Sequence, residues 1–451
     1  MHRVDEAIHR GVLSRGRGVV GALGRAPAVT DDDPVEGSRL ELTVGAVAHG
    51  GHCVARIGGP HGHVVFVRHA LPGEVVTAEI TELHKGYLRA DAVEVHEAAP
   101  DRVEPPCPYA RPGLCGGCDL QHVAVAAQPG WKATVVREQL ARLGGLTPEQ
   151  IDDLGVRVQP LPGGPLGWRS RVRYAVDAAG RPGLLRHRSH QVVPIDRCRI
   201  AHPALQGLDI TARLWPDADA IEAVASTGGD LSVLSRPPTG VPLPTDDLGG
   251  VRTMGTDRVL LQGPAEVLEL AAGRQWHVPT EGFWQVHPAA AHTLAEAVVE
   301  LLEPAPGETS WDLYGGAGLF AAALAERTGA RVTVVESSPV GVAAARANLA
   351  DLSGVEVVSA RVDVALTRRR VTGPVDLVVL DPPRTGAGSK VVRAIVAAGP
   401  RAVAYVACDP AALARDIATF TSAGWRTAQL RAYDCFPMTQ HVECVALLVP
   451  A

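Results

Sequence analysis

The C-terminal part of the chain, residues 283–451, alternates short apolar runs with segments whose apolar residues recur at helical spacing. The apolar runs lie at 311–314, 332–336, 375–380 and 402–407. Strands that alternate with helices in this way fold into a mostly parallel sheet with helices on both faces. Ligands of such sheets bind at the carboxyl ends of the strands. The pattern therefore predicts a doubly wound α/β fold with a ligand site at that edge.

A glycine-rich turn follows the first of these strands. The turn is Gly315-Gly316-Ala317-Gly318, and a helical segment comes after it. Glycines allow the backbone to approach a ligand closely. No third glycine completes the G-x-G-x-x-G pattern, which disfavours a dinucleotide, and Glu336 ends the next strand, where an acid can accept ribose hydroxyls. The two features predict a site for a nucleotide or adenosyl ligand.

Two later strands also end in residues that can carry chemistry. The run at 375–380 leads to Asp381-Pro382-Pro383-Arg384, and the run at 402–407 leads to Cys408-Asp409-Pro410. A cysteine at the mouth of the crevice can act as a covalent nucleophile when it is a thiolate. The alternative for Cys408 is a buried structural thiol, because free cysteine is among the most buried residue types.

Residues 37–97 have a different periodicity, in which apolar and polar residues alternate. Several short strands are separated by turn signals, such as Gly58-Gly59-Pro60-His61-Gly62 and Leu71-Pro72-Gly73-Glu74. This pattern predicts a small five-stranded barrel of the OB type. Such barrels often bind single-stranded nucleic acid, although a barrel without that function remains an alternative.

The eight cysteines of the chain are unevenly distributed. Cys107, Cys115 and Cys118 lie close together, with two glycines in the C-x2-C pair, and Cys198 lies far downstream. Thiolates at such spacing fit the ligation of one metal centre, either zinc or an iron–sulfur cluster. A zinc ribbon would show a second C-x2-C pair, and its absence favours a cluster with a remote fourth ligand. Unrelated free thiols are the alternative.

A local excess of positive charge contrasts with the net charge of −6. Between Trp168 and His202 there are eight arginines and two aspartates, and Arg169, Arg171 and Arg173 alternate along one predicted strand. The net charge excludes a uniformly basic nucleic-acid binder, but this segment is a candidate face for phosphate contacts. A solvated β surface is the alternative.

Length and hydropathy predict several domains and no membrane segment. No apolar run approaches the roughly 20 residues that a membrane helix needs, and charged residues interrupt the N-terminus, so we expect a cytoplasmic protein. The predicted divisions are a flexible arm at 1–36, a barrel at 37–98, a central domain at 99–282 and a catalytic domain at 283–451. A helix predicted at 123–145 is a candidate to pack on the catalytic domain.

Several short motifs in joint order resemble the uracil-5-methyltransferase family that acts on tRNA and ribosomal RNA. The resemblance covers roughly residues 37–451 and rests on Cys115-Gly116-Gly117-Cys118-Asp119-Leu120-Gln121-His122, Arg188-Ser189-His190, Phe283-Trp284-Gln285, Asp312-Leu313-Tyr314, Asp381-Pro382-Pro383-Arg384, Cys408-Asp409-Pro410 and His441-Val442-Glu443. It implies a Rossmann-like class I methyltransferase domain, an N-terminal OB-like TRAM barrel and a central, β-rich iron–sulfur domain.

The resemblance also implies roles for individual residues. Cys408 would be the nucleophile and Glu443 the base that removes a proton. S-adenosylmethionine would be held by Gln285, Tyr314, Glu336 and Asp381, with Asp363 on the adenine side. A [4Fe–4S] cluster would be bound by Cys107, Cys115, Cys118 and Cys198. The partner would be tRNA or ribosomal RNA, and we expect a monomer without a membrane or an obligate protein partner.

Three residues depart from the family pattern. His287 stands where asparagine is usual, Asp409 replaces the usual asparagine after the nucleophile, and Gly315 replaces a frequent cysteine. The first two concern the position of the target base, so an RNA cytosine-5-methyltransferase that uses the same covalent chemistry stays open. A catalytically silent RNA-binding module is a further alternative. A radical methylthiotransferase is disfavoured because its cluster needs a C-x3-C-x2-C triplet.

Overall fold

The barrel predicted near the N-terminus is closed by a strand that bends at Gly45. The structure is a computed structural model that describes residues 34–59, 61–238, 252–254 and 257–451. Most of the arm predicted at 1–36 therefore lies outside the described residues. The strands of the barrel are β1 (Arg39–Thr43), β2 (Val47–Ala48), β3 (His52–Ile57), β4 (His63–Arg68), β5 (Val75–His84) and β6 (Tyr87–Glu97).

These strands form one sheet in the order β1-β5-β6-β4-β3-β2, in which β4 and β6 are parallel. The backbone N–H of Gly45 donates to Val54 at 2.7 Å, and the N–H of Val54 donates to Ala46 at 2.8 Å. Because these bonds join the end of β1 to β3, β1 and β2 act as the two halves of one bent strand. The result is a five-stranded barrel with the predicted OB-type order.

The central region contains a helix pair and a second sheet. Its elements are α1 (Gln128–Arg142), α2 (Pro148–Asp153), β7 (Val158–Pro160), β8 (Arg171–Val176), β9 (Pro182–Leu185), β10 (Val192–Pro194), α3 (Pro203–Gln206), β11 (Ala220–Ala225), β12 (Leu231–Arg236), β13 (Arg252–Met254), β14 (Arg258–Gln262), β15 (Glu266–Ala271) and β16 (Arg274–Pro279). The sheet has the order β10-β9-β8-β11-β12-β14-β13, and β15 pairs with β16. Helix α1 is shorter at both ends than the helix predicted at 123–145.

The C-terminal region forms the predicted doubly wound sheet. Its elements are α4 (Ala290–Leu302), β17 (Ser310–Leu313), α5 (Leu319–Thr328), β18 (Val332–Glu336), α6 (Pro339–Asn348), β19 (Val355–Ser359), α7 (Val362–Thr367), β20 (Leu377–Leu380), α8 (Ser389–Ala398), β21 (Ala402–Ala407), α9 (Pro410–Ser422), β22 (Trp425–Asp434) and β23 (Glu443–Pro450). The strand order is β19-β18-β17-β20-β21-β23-β22-β7. The chain order reverses between β17 and β20, which makes the carboxyl ends of these strands the switch point of the sheet.

Both faces of this sheet are covered by helices, because alternate residues of the central strands enter two different cores. In β20, Leu377 and Val379 pack in the core that contains α4 and α5, whereas Val378 and Leu380 pack in the core that contains α8 and α9. A strand buried on both faces has no polar alternation. This explains why residues 377–380 are continuously apolar.

Helix α1 attaches the central region to the catalytic sheet. It packs against α9, and its fully buried Lys132 donates to Asp434 at 2.6 Å and to the carbonyl of Phe436 at 3.0 Å. The side chain of Gln128 also donates to the Met438 sulfur and accepts the Met438 N–H. These contacts anchor the loop between β22 and β23. Residues 36–451 form one compact unit, and the finer domain division stays a prediction.

Within the part of the chain that the structure describes, no helix is both long and apolar enough to cross a membrane.

Candidate active site

A cavity of about 1100 Å³ opens at the switch point of the catalytic sheet. Its floor consists of residues that follow the parallel strands or begin β23, and its other walls come from the central region. The lining includes four of the five predicted cofactor residues and both predicted catalytic residues: Gln285, Tyr314, Glu336, Asp381, Cys408 and Glu443. The sheet therefore brings together side chains that lie more than 150 residues apart in sequence.

The glycine-rich turn packs closely against the side chains of Leu349 and Val334. A Cβ atom on Gly318, where φ is +98°, would lie 2.6 Å from a methyl carbon of Leu349. A Cβ on Gly315 would lie 2.4 Å from a methyl carbon of Val334. The turn thus depends on residues without side chains. The departure at Gly315 is explained by this contact with Val334.

Glu336 supports the turn from the end of β18. One carboxylate oxygen accepts the N–H of Gly316 at 2.9 Å, and the other accepts the N–H groups of Ser337 and Ser338, both at 2.6 Å. The carboxylate is held in place by three backbone donors while it lines the cavity. This geometry fits a side chain that presents its remaining lone pairs to a ligand's hydroxyl groups.

Asp363 is not among the lining residues. It lies in the first turn of α7, where Arg361 donates to it at 3.1 Å and Lys390 lies 4.0 Å away. The hydrogen bond from Arg361 is the largest cause that lowers the pKa of Asp363. Its predicted contact with adenine stays a prediction.

Cys408 is the half-buried cysteine at the end of β21. Burial, followed by the charges of Glu443 and Asp381, raises the pKa of its thiol to about 12. The guanidinium of Arg384 acts in the opposite direction. A thiolate at this position therefore needs positive charge nearby.

The partly buried Asp381 and the fully buried Glu443 form a pair of acids beside this thiol. Burial raises the pKa of Asp381 to about 7. Burial and the charge of Asp381 raise the pKa of Glu443 well above its ordinary value, whereas Arg384 lowers it. Neighbouring carboxyl groups in an apolar site share protons, so a cation bound between them favours ionisation of both.

Aromatic and basic side chains also line the cavity. They belong to Trp168, Phe283, Phe436, Arg169 and Arg384, and Phe283 is 70% exposed. Unstacked bases pack on such rings, and guanidinium groups contact phosphates. Phe283 and Arg384 lie in motifs quoted above, and Arg169 belongs to the candidate phosphate face, whereas no motif singled out Trp168 or Phe436. These side chains line one cavity because the central region folds against the catalytic sheet.

The other two departures have structural explanations. His287 is buried, stacks on Trp168 with ring centroids 5.9 Å apart, and accepts the N–H of Ala289 on Nδ1. Burial lowers the pKa of His287 to about 4, so the ring is neutral at physiological pH. Asp409 caps α9 by accepting the N–H of Ala412 at 2.7 Å. Neither residue lines the cavity.

The proposed phosphate face of β8 is wrong for Arg171 and stays a prediction for Arg173, whose side chain is 54% exposed. Arg171 is largely buried, donates to the carbonyls of Thr280 and Gly282, and lies 3.5 Å from Glu269. Arg173 pairs with Glu222 at 3.8 Å. Packing against β15, β16 and β11 recruits these cations into ion pairs. Arg169 precedes the strand and lines the cavity instead.

The four cysteines assigned to a cluster, Cys107, Cys115, Cys118 and Cys198, are all buried and line one second cavity. Burial raises the pKa of Cys115 to about 11, and the neighbouring thiols of Cys198 and Cys107 also raise it. The N–H of Gly117 points at the Cys115 sulfur at 3.4 Å. In the described residues, however, no group of three or more Cys, His, Asp or Glu side chains is arranged to hold a metal ion. The cluster therefore stays a prediction.

Comparisons with known proteins agree with this architecture. Residues 35–93 match the model of the TRAM domain, and residues 265–450 match that of the tRNA (Uracil-5-)-methyltransferase family. An uncharacterized RNA methyltransferase of Streptomyces avermitilis is 50% identical over 92% of this chain and 99% of its own length. One of Streptomyces coelicolor is 48% identical over 95% of this chain and 96% of its own length.

A solved structure shares the fold over nearly the whole chain. The tRNA (uracil-54, C5)-methyltransferase of Pyrococcus abyssi, in complex with S-adenosyl-L-homocysteine, superposes with a TM-score of 0.66 at 22% identity. The match covers 90% of this chain and 99% of that one. The C-terminal region is thus a class I methyltransferase domain that follows a TRAM barrel. The chain belongs to the tRNA (uracil-5-)-methyltransferase family and is an S-adenosylmethionine-dependent RNA methyltransferase.

Proposed function

We propose that this enzyme methylates carbon 5 of a uridine in tRNA or ribosomal RNA through a covalent adduct with Cys408. One observation carries the proposal: a reachable thiol and two acids, Asp381 and Glu443, line the same cavity beside a glycine-rich turn. Carbon 5 of uracil is a weak nucleophile, so its methylation requires activation by a group of this kind.

Three lining residues support the binding of the methyl donor. Glu336, fixed by three backbone N–H groups, is suited to accept ribose hydroxyls, and Gln285 and Tyr314 line the same cavity. Asp381 would lie near the sulfonium. Asp363 is not a lining residue and would contact only the edge of the adenine ring. When bound, S-adenosylmethionine supplies an electrophilic methyl group on a positively charged sulfur.

The first chemical step belongs to Cys408. Its thiolate forms a bond to carbon 6 of the uracil, and the electron pair of the C5=C6 double bond moves into an enolate. Because burial and the neighbouring acids raise the pKa of this thiol to about 12, Arg384 has to favour the thiolate electrostatically. Carbon 5, now enolate-like, forms a bond to the methyl group of S-adenosylmethionine, while the electron pair of the broken carbon–sulfur bond stays on the donor sulfur and leaves a neutral thioether.

The last step needs a base. Glu443, ionised at this stage, accepts the proton from carbon 5, the C5=C6 double bond re-forms, and the bond between Cys408 and carbon 6 breaks to release the thiolate. The high pKa of Glu443 makes it a competent proton acceptor once it is charged. The proton is then free to pass to solvent through the open cavity.

We also propose a [4Fe–4S] cluster on Cys107, Cys115, Cys118 and Cys198. Four thiols that line one cavity and a backbone N–H directed at a sulfur are features of cluster ligands. The cluster would have a structural or RNA-positioning role, because methyl transfer involves no net electron transfer. Action as a monomer without an obligate protein partner stays a prediction.

The experiment that tests this function is nucleoside mass spectrometry of tRNA and ribosomal RNA from cells with and without the enzyme. We expect 5-methyluridine to disappear from one position of one RNA class. The same RNA, incubated with purified enzyme and S-adenosylmethionine, should regain it, and the Cys408→Ala variant should not restore it.

Two other results would replace the proposal. A fall in 5-methylcytidine with unchanged 5-methyluridine would make the enzyme a cytosine methyltransferase. The other result is that the Cys408→Ala variant restores full biological activity to cells that lack the enzyme, although no methylated nucleoside reappears. That result would favour a catalytically silent RNA-binding module.

A further inference from the structure

The turn between β2 and β3 of the barrel lies against the loop that precedes Glu443. This turn consists of residues 49–51. A Cβ atom on Gly51 would lie 2.6 Å from the Cβ of Asp119 and 3.2 Å from the Cβ of Gln440, and φ at Gly51 is +76°. Only a residue without a side chain permits this approach. The barrel is therefore in direct contact with the catalytic edge.

The first residue of the turn, His49, reaches the residue that follows the proposed nucleophile. Its Nε2 lies 3.3 Å from Oδ2 of Asp409. The other carboxylate oxygen, Oδ1, accepts the N–H of Ala412 and caps α9. Asp409 thus joins two elements, the first turn of α9 and the barrel. Because Cys408 is its immediate neighbour, both contacts restrain the backbone that carries the thiol.

The charge of Asp409 also acts on this thiol. Burial opposes the ionisation of Asp409, but the hydrogen bonds from His49 and Ala412 outweigh it and lower its pKa. The resulting carboxylate adds to the effects of burial and of the two acids in raising the pKa of Cys408. The other charged or titratable groups near the loop are Arg384, Arg415 and His441.

We propose that His49 is a positioning residue for Cys408: its hydrogen bond with the Asp409 carboxylate fixes the loop at the N-terminus of α9 that carries the thiol. The barrel is then part of the catalytic apparatus and not only a tether for RNA. The inference rests on the proposed role of Cys408. The asparagine usual at position 409 in the family carries no charge, so the pairing of a carboxylate with His49 is a property of this chain.

The test measures the rate at which iodoacetamide alkylates Cys408 in the full-length, ligand-free enzyme at pH 8, by mass spectrometry of the Cys408 peptide. The other seven cysteines are buried. His49→Ala removes the hydrogen bond to Asp409 and leaves that carboxylate without its partner from the barrel, and we expect alkylation to slow about threefold, which corresponds to half a pKa unit. Asp409→Asn keeps a capping oxygen but removes the charge, and we expect alkylation to accelerate by about the same factor.

The double variant decides whether the two residues act through each other. If they do, His49→Ala combined with Asp409→Asn alkylates at the rate of Asp409→Asn alone. His49→Gln, which keeps a donor without a charge, should fold normally and give an intermediate rate. The matched control is His292→Ala, which removes a histidine paired at 3.3 Å with Glu296 on the exposed face of α4 and should leave the rate unchanged.

Methyl transfer supplies a second readout. A positioning role lowers kcat in His49→Ala and leaves KM for RNA nearly unchanged. Additive effects of His49→Ala and Asp409→Asn on the alkylation rate would overturn the proposal. A His49→Ala variant with a normal alkylation rate and a raised KM for RNA would also overturn it, because His49 would then be an RNA contact. If Cys408→Ala retained methyl transfer, the proposed function would fail, but the alkylation rates would still report the coupling.

Discussion

Cys408 and the four cysteines of the central region occupy contrasting environments. Cys408 is half-buried, opens to a cavity of about 1100 Å³ and faces two carboxyl groups. The four others are buried and line a separate cavity whose charged neighbours are arginines: Arg169, Arg197 and Arg199. A thiol that attacks a substrate and is released needs access and a nearby proton acceptor, whereas thiols that hold a metal centre need enclosure and one another. The same residue type thus suits two chemistries, according to what surrounds it.

The strongest test of this contrast acts on the proton acceptor beside Cys408. Glu443→Gln keeps the shape of the side chain but cannot accept the carbon 5 proton, so we expect turnover to fall by about 10²–10⁴-fold. Elimination of Cys408 is then blocked, and a covalent protein–RNA species should accumulate on denaturing gels. Adding Cys408→Ser should abolish that species. A Glu443→Gln enzyme with normal turnover would refute the assignment.

The second test acts on the enclosed thiols. Cys118→Ser removes one proposed ligand, and we expect the iron content of anaerobically purified enzyme to fall from about four atoms per chain to a small fraction of that value. Alkylation of Cys408 should change by less than about twofold, because Cys118 is not among the groups that shift the pKa of Cys408. Cys53→Ser, in the barrel core, is the matched control for iron content. Equal, negligible iron in all three proteins would show that the four thiols do not bind a cluster.

The third test concerns helix α1, which connects the central region to the catalytic sheet. Lys132→Met leaves the carboxylate of Asp434 buried without its partner, and we expect a loss of about 3–5 kcal/mol in the free energy of unfolding. The control is Arg137→Ala on the same helix, whose exposed pair with Asp152 should contribute less than about 1 kcal/mol. Chemical denaturation of both variants measures the difference. Similar values for the two would show that α1 does not anchor the loop.

The smallest expected effect concerns pH. Burial raises the pKa of Asp381 to about 7, and burial together with the charge of Asp381 also raises the pKa of Glu443, so this pair of acids gains negative charge as the pH rises through neutrality. We therefore expect the affinity for S-adenosylmethionine, a sulfonium cation, to increase by up to about tenfold from pH 6 to pH 8. S-adenosylhomocysteine lacks that charge and should show a weaker dependence in calorimetric titrations. An equal change in affinity with pH for the two ligands would mean that the acids do not face the sulfonium.

Much of the catalytic region was predictable because its signals are local. The apolar runs, the glycine-rich turn and the acids at the strand ends each lie within a few consecutive residues, and the switch point follows from strand order. The barrel was predictable for the same reason. The ion pairs of the β8 arginines were not predictable. Arg171 and Arg173 lie near carboxylates on strands that the sequence pattern does not place beside β8.

The sequence by itself determined the α/β fold, the barrel, and the family to which the enzyme belongs, because periodicity and short motifs are properties of consecutive residues. Only the tertiary structure decided that α1 and β7 complete the catalytic region, that Trp168 and Phe283 share one wall with Cys408, and that His49 of the barrel meets Asp409. These contacts join residues that are tens to hundreds of positions apart. Packing and burial select them after the chain has folded, and no local pattern encodes them.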